Sequence, residues 1–226
     1  MARETFEQEL QRLQDEILAL GNMVENAIVD AVGVLKRRDM EGARRLIAQD
    51  ALINRKCFAI ENDAIVLIAT QQPMAGDLRV IAAVLDIAHE LERMGDYAKG
   101  IAKINLMIGE GPLIKPLIDI PRMADKARDM LHRALEAFMR RDTNLARTIP
   151  TEDDEVDALY NQVYRELMTC ILADPSCIEQ ANYLLWVAHN LERTADRVTN
   201  ICERVIFTVT GEMIELDTDD SLQSPA

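Results

Sequence analysis

The sequence predicts an all-α protein built as a tandem repeat of two three-helix bundles, six long helices in all. Three observations predict it. Ala, Leu, Ile, Glu, Arg and Met dominate the chain, while aromatics make up 4% of it and glycines number 9, a composition rich in helix formers and poor in strand formers. Apolar residues recur at steps of three and four over long stretches free of proline. Finally, Ala88, His89, Leu91, Glu92, Arg93, Asp96 and Ile101 reappear as Ala188, His189, Leu191, Glu192, Arg193, Asp196 and Ile201, at a constant offset of 100 residues.

The first helix is marked from Phe6 by the seam Leu10, Leu13, Ile17, Leu20, Val24, Ile28, Ala31, Leu35. The cations Lys36, Arg37 and Arg38 suit its C-terminus, and Asp39 suits the cap of the next helix. A second helix is expected from about Met40 to Thr70. It stops at Gln71 and Gln72 because Pro73 disfavours helical backbone in the residue before it. The third is expected to open around Gly76 and Asp77, with Asp77 as its cap, and to carry the first copy of the repeated motif as far as Ile108.

Between Gly109 and Pro121 stand two glycines and three prolines, which no continuous helix accommodates. This stretch is the expected boundary, and its leucines and isoleucines are too apolar for a solvated tether, so it is expected to lie across the bundle surface. The second half then repeats the first. Lys36, Arg37, Arg38 and Asp39 match Met139, Arg140, Arg141 and Asp142 at an offset of 103, and Asp50 matches Asp153. The offset falls to 100 by the motif, placing a three-residue deletion at the turn Asp174, Pro175, Ser176. The predicted organisation is therefore a first bundle over 1–108, a linker over 109–121, a second bundle over 122–209 and an acidic, solvated tail over 210–226.

The formal charge of −14 argues against non-specific binding to nucleic acid or anionic lipid. Cys57, Cys170, Cys177 and Cys202 have no Cys-x-x-Cys spacing and sit among apolar helical residues, so they are read as reduced, buried thiols of a cytoplasmic protein. No signal-peptide core follows Met1, and nowhere do 18 uncharged apolar residues run together, so membrane association is expected only through partners.

Glu92 and Asp96, like Glu192 and Asp196, fall at i and i+4 on one helical face. Carboxylates one turn apart repel unless a cation sits between them, and hard metal ions that take oxygen ligands supply that cation. The second helices offer further ligands at the same spacing, Asp50 with Asn54 and Asp153 with Asp157, so two sites related by the repeat are expected. His89 and His189 lie on the same ridge. The spacing leaves a second reading open: Arg93 and Arg193 stand three residues before Asp96 and Asp196, so the motif also fits a helix-stabilising network of surface ion pairs.

No catalytic residues are predicted. A ferritin-like di-metal enzyme needs Glu-x-x-His on two helices, whereas here the order is His-x-x-Glu at His89–Glu92 and His189–Glu192, and His132 follows Asp129. A phosphate-cradling glycine loop, a serine elbow and a Cys–His nucleophile are also missing from the sequence.

The duplicated Leu-Glu-Arg-x-x-Asp, the run from Gln72 through Pro73, Met74, Ala75, Gly76, Asp77 and Leu78 to Arg79 before the first copy, and Asn200-Ile201 after the second together resemble the PhoU family, over nearly the whole chain. The resemblance implies a cytoplasmic, non-catalytic adaptor that negatively regulates phosphate uptake and the phosphate-starvation response. It also implies partners, the ATPase subunit of a phosphate ABC transporter and a sensor histidine kinase, and a homodimer. Its acidic motifs are associated with metal ions, so iron, zinc or another divalent cation is expected at Glu92, Asp96, Glu192 and Asp196. Where the family often has histidine after the motif aspartate, this chain has Tyr97 and Arg197. Asn200 and Glu203 of the second copy correspond to Gly100 and Lys103 of the first, so the second site is expected to bind metal more strongly. The competing readings are a carboxylate-bridged metal-dependent enzyme on a helical bundle and a related regulator of a different phosphate carrier.

Overall fold

The structure, a computed structural model, describes residues 2–216, and among them no strand occurs. The helices are α1 (Ala2–Arg37), α2 (Met40–Gln71), α3 (Ala75–Ile108), α4 (Asp119–Arg140), α5 (Thr143–Thr148), α6 (Asp153–Ala173) and α7 (Ile178–Thr210). Short 3-10 turns at Ile149–Glu152 and Pro175–Cys177 precede α6 and α7. The helix expected fifth is thus two pieces, α5 and α6. Pro150 has no amide hydrogen to continue the first piece, and the backbone tightens into 3-10 geometry there.

The repeat is visible in its turns. Arg38 and Arg141 both take left-handed backbone, with φ of 57° and 55°. Around them the Asp39 and Asp142 amides donate to Val34 O and Ala137 O, each at 2.9 Å. Asp39 then caps α2 by accepting from the Gly42 amide at 2.7 Å, and Asp142 caps α5 by accepting from the Asn144 and Leu145 amides at 3.0 Å. Helix α3 departs from expectation: it starts at Ala75 behind an extended Met74, so Asp77 lies in its first turn and does not cap it. There its charge still faces the positive end of the helix. Helix α4 starts at Asp119, three residues before the expected start of the second bundle, because Pro121 falls in the first turn, where amides have no intrahelical acceptor.

Every residue of the predicted α1 seam is buried, and each of its Leu, Ile and Val side chains contributes on the order of 1.5–3 kcal/mol by removal from water. Helix α1 is long and apolar enough, by length and composition, to cross a membrane, but its apolar seam faces α2, α3 and α4. Helices α1, α3, α7 and α4 pack in a ring, with α2 lying over α1 and α3, and α6 over α4 and α7. One hydrophobic core runs through both repeats. Cys57 and Cys202 are buried in it, and burial pushes both thiols up to about 12. Cys170 and Cys177, in contrast to the expectation of buried thiols, are half-exposed beside the turn between α6 and α7.

Residues 109–118 are pinned to both repeats. From the first, Arg38 donates to the carbonyls of Gly109 and Gly111 and to Asn105 Oδ1. From the second, Gln180 Nε2 donates to Pro112 O at 3.2 Å, its Oε1 accepts from the Ile114 amide, and Glu166 pairs with Lys115. The segment lies across the bundle as its apolar composition requires. The expected solvated tail gives way at its start to a docked segment: Ile214 and Leu216 pack on the core, and the Leu216 amide donates to Glu203 Oε1 at 2.9 Å. Positions 217–226 lie outside the described residues.

The turn at Pro150 is held to α4 by Glu152, which meets Lys126 at 2.7 Å and Arg133 at 2.6 Å. Burial works to raise the Glu152 pKa, but the hydrogen bonds and charges of Lys126 and Arg133 prevail and hold it below its ordinary 4.5. A depressed carboxylate stabilises above its unfolded pKa, and that stability is lost as pH falls through the lower folded value. Glu152→Gln is expected to cost about 1 kcal/mol at neutral pH, after allowance for screening. In urea unfolding over a pH series, the gap from wild type should close below pH 4.5. A gap that stays constant with pH would contradict the assignment.

Candidate functional site: the duplicated acidic ridges

Helices α3 and α7 cross antiparallel at the centre of the molecule. Arg197 meets Glu90 at 3.3 Å, Arg204 meets Asp86 at 3.5 Å, and a Cβ on Gly100 would stand 3.1 Å from Asn190 Nδ2. On α7, Leu184, Ala188, Leu191, Ala195, Val198 and Cys202 face the core, so the period of the helix turns Glu192 and Asp196 toward the edge of the buried stripe. The first ridge faces α2 and the second faces α6.

In the first repeat the acids enclose a lysine. Asp50 is 5% exposed, and its Oδ2 accepts from Lys99 Nζ at 2.6 Å and from Asn54 Nδ2 at 3.5 Å. Lys99 Nζ also reaches Asp96 Oδ1 at 3.2 Å. The hydrogen bond to Asp50 holds the lysine above its ordinary pKa, against burial. Asp50 Oδ1 and Asn54 Oδ1 are buried without a hydrogen-bond donor. Glu92, one turn before Asp96, is pushed up by burial first and then by the charges of Asp96 and Asp50. A cavity of about 230 Å³ between α1, α2 and α3 opens beside Asp50 and Lys99.

The second repeat is built differently. Glu192 is raised by burial, with the Asp157 charge adding to it and His189 opposing it. His189 Nδ1 approaches Glu192 Oε2 at 3.1 Å, but off the direction of an N–H donor, so this buried oxygen has no well-formed hydrogen bond. The Tyr160 ring lies 6.3 Å from the His189 ring. Asp153 and Asp196 are half-buried and Asp157 is exposed on the facing helix. Asn200, half-buried, continues the ridge one turn beyond Asp196, whereas Glu203 is engaged with the Leu216 amide.

The histidines also diverge. His89 Nδ1 donates to Leu85 O at 2.8 Å, and its Nε2 lies 3.0 Å from Glu61 on α2. The position matching Glu61 at an offset of 103 is Tyr164, which offers no carboxylate, and His189 turns to Glu192 in its own helix. Tyr97 and Arg197, the departures at the position after the motif aspartate, meet across the crossing. Arg193 lies over the Tyr97 ring at 5.5 Å. Burial works against the Arg197 charge, but its hydrogen bond to Tyr97 and the charge of Glu90 outweigh this and raise its pKa. Both residues serve the joint between the repeats.

Among the described residues, no three His, Cys, Asp or Glu side chains stand arranged as a ready metal cage. The chemistry of the two donor sets still differs. The second repeat brings carboxylates to a buried glutamate oxygen without a directed donor, which suits a cation. With Lys99 in place the first set does not fit a metal ion, because an ammonium already lies against Asp50 and Asp96. The i, i+4 spacing overlooks Lys99. The signals that identify it are its i+3 position after Asp96 and its match, at the same offset of 100, to an uncharged Thr199.

The PhoU domain, as a family pattern, matches residues 17–104 and again residues 120–205. The phosphate-specific transport system accessory protein PhoU homolog of Clostridium acetobutylicum is 37% identical over 221 residues, covering 96% of this chain and all of that one. The protein of the same name from Caulobacter vibrioides is 38% identical over 209 residues, covering 92% and 91%. The crystal structure of the phosphate transport system regulatory protein PhoU from Streptococcus pneumoniae superposes with a TM-score of 0.85 at 32% identity, over 92% of this chain and 99% of that one.

Proposed function

This chain belongs to the PhoU family, and from that premise we propose that it is an accessory protein of phosphate-specific transport, a cytoplasmic, non-catalytic adaptor. In this reading its helical faces dock the ATPase subunit of a phosphate ABC transporter and a sensor histidine kinase, and the contact restrains both phosphate uptake and the starvation response. It reaches the membrane through the transporter and works as a homodimer. The observation that carries the reading is the near end-to-end match, at more than a third identity, to relatives named as accessory proteins of the phosphate-specific transport system. A divalent cation such as iron or zinc is part of the proposal, held by Glu192 and Asp196 with Asp153, Asp157 and Asn200, and with Glu203 where the C-terminal segment releases it. Such an ion would supply positive charge that binds α6 and α7 of the second repeat together.

Two measurements test this. Deleting the chain is expected to derepress phosphate-starvation genes at high phosphate, and affinity purification from phosphate-replete cells should recover the transporter ATPase and a histidine kinase. Unchanged expression together with recovery of neither partner would overturn the adaptor. For the metal, Glu192→Gln combined with Asp196→Asn is expected to lower zinc bound after reconstitution by about tenfold or more in affinity. Equal zinc binding by variant and wild type would remove the ion from the reading.

A further inference from the structure

We propose that Lys99 is the resident cation of the first acidic ridge, so that this repeat is neutralised from within and metal loading is confined to the second repeat. The proposal rests on the metal reading above for the second repeat, but the first repeat carries its own observations. Asp50 is buried to 5% exposure and still presents an oxygen with no donor, so its charge needs a cation close by. The Lys99 ammonium lies 2.6 Å from one oxygen of Asp50 and 3.2 Å from Asp96, which is where an ion bridging the α2 and α3 acids would have to sit.

The second repeat is an internal control. Asp50, Asn54, Glu92, Asp96 and Lys99 correspond in register to Asp153, Asp157, Glu192, Asp196 and Thr199. Over those five positions the formal charge is −2 in the first repeat and −4 in the second. Two changes make the difference: Asn54 removes a carboxylate and Lys99 adds an ammonium. A tethered ammonium needs no external supply and makes the α2–α3 contact independent of metal availability. Lysine suits the role because its compact charge sits on a flexible stem that reaches a buried acid from the edge of the ridge.

The test is zinc titration of metal-stripped protein by calorimetry, with bound metal counted by mass spectrometry, on wild type, Lys99→Thr and Lys99→Arg. Lys99→Thr, which installs the second repeat's residue, is expected to bind about one more zinc ion per chain than wild type, while Lys99→Arg gains none. The extra ion should persist when Glu192→Gln and Asp196→Asn are added and vanish with Glu92→Gln. Without metal, Lys99→Thr is expected to melt about 2–4 °C below wild type, and zinc should restore it. If Lys99→Thr binds no more zinc than wild type, or if Glu92→Gln alone strips zinc from wild type, the proposal is overturned. Zinc bound by Lys99→Thr but not by wild type would instead keep Lys99 as the resident cation and defeat the metal reading of the second repeat.

Discussion

Asn105→Val is expected to destabilise the protein by about 2–4 kcal/mol, measured by denaturant unfolding, and to expose the 109–118 segment to limited proteolysis. Asn105 is fully buried near the end of α3, where its Nδ2 donates to Val34 O and Asp39 O, both at 3.2 Å, and its Oδ1 accepts from Arg38. The two carbonyls decide little, because each keeps a backbone donor, Asp39 N for Val34 and Ala43 N for Asp39. The cost falls on Arg38, whose pKa burial lowers and whose guanidinium would lose its side-chain acceptor while still holding the carbonyls of Gly109 and Gly111. A hydrogen bond to a charged group contributes roughly 1.5–3 kcal/mol, and loosening the linker adds to that. The repeat explains why asparagine is needed here. The matching residue in α7 is Val205, fully buried, and there the segment after the helix is held instead by Glu203, which accepts from the Leu216 amide. A variant within about 0.5 kcal/mol of wild type would show that the latch contributes nothing.

How much of this was legible in the residues varied with how local the cause was. The α1 seam and the aspartate cap at position 39 follow from periodicity and cap chemistry and are found where expected, and Asp142, the match of Asp39 in the repeat, caps α5 in the same way. Pro150 is as plain in the sequence as Pro73, but the matching position in the first half is Ile47, so the repeat itself carries no sign of the break. Asp77 has a side chain that suits a cap, but Met74, extended behind Pro73, takes that place. At the site, the i, i+4 acids share ridges as their spacing requires. What occupies the space between the ridge and the neighbouring helix depends on reach across α2 and α3, which spacing within one helix does not encode. Lys99 meeting Asp50, His89 meeting Glu61 and Arg197 meeting Glu90 are all of this kind.

Phe138→Ala, the largest side chain fully buried in the core, is expected to cost about 3–5 kcal/mol, and the loss should appear in the whole chain and not in the second repeat alone. Phe138 matches Leu35, also fully buried, and the two sit under the same left-handed turn at the ends of α4 and α1. Were the repeats independent, the cavity would leave the first bundle untouched and split unfolding into two transitions. The packing argues otherwise. Helix α1 lies against α4, α3 lies against α7, a single apolar core joins them, and Arg193 and Arg197 fasten α7 to Tyr97 and Glu90 of α3. Removing the second bundle would expose an apolar face of the first, at a cost of about 25 cal/mol per Å² of apolar surface. The lone tryptophan, Trp186, lies on α7 and reports the second repeat, while far-ultraviolet dichroism reports every helix. In Phe138→Ala both signals are expected to move together to one lower midpoint. A fluorescence midpoint that falls while most of the helical signal keeps its wild-type midpoint would show that the two repeats fold as separate domains.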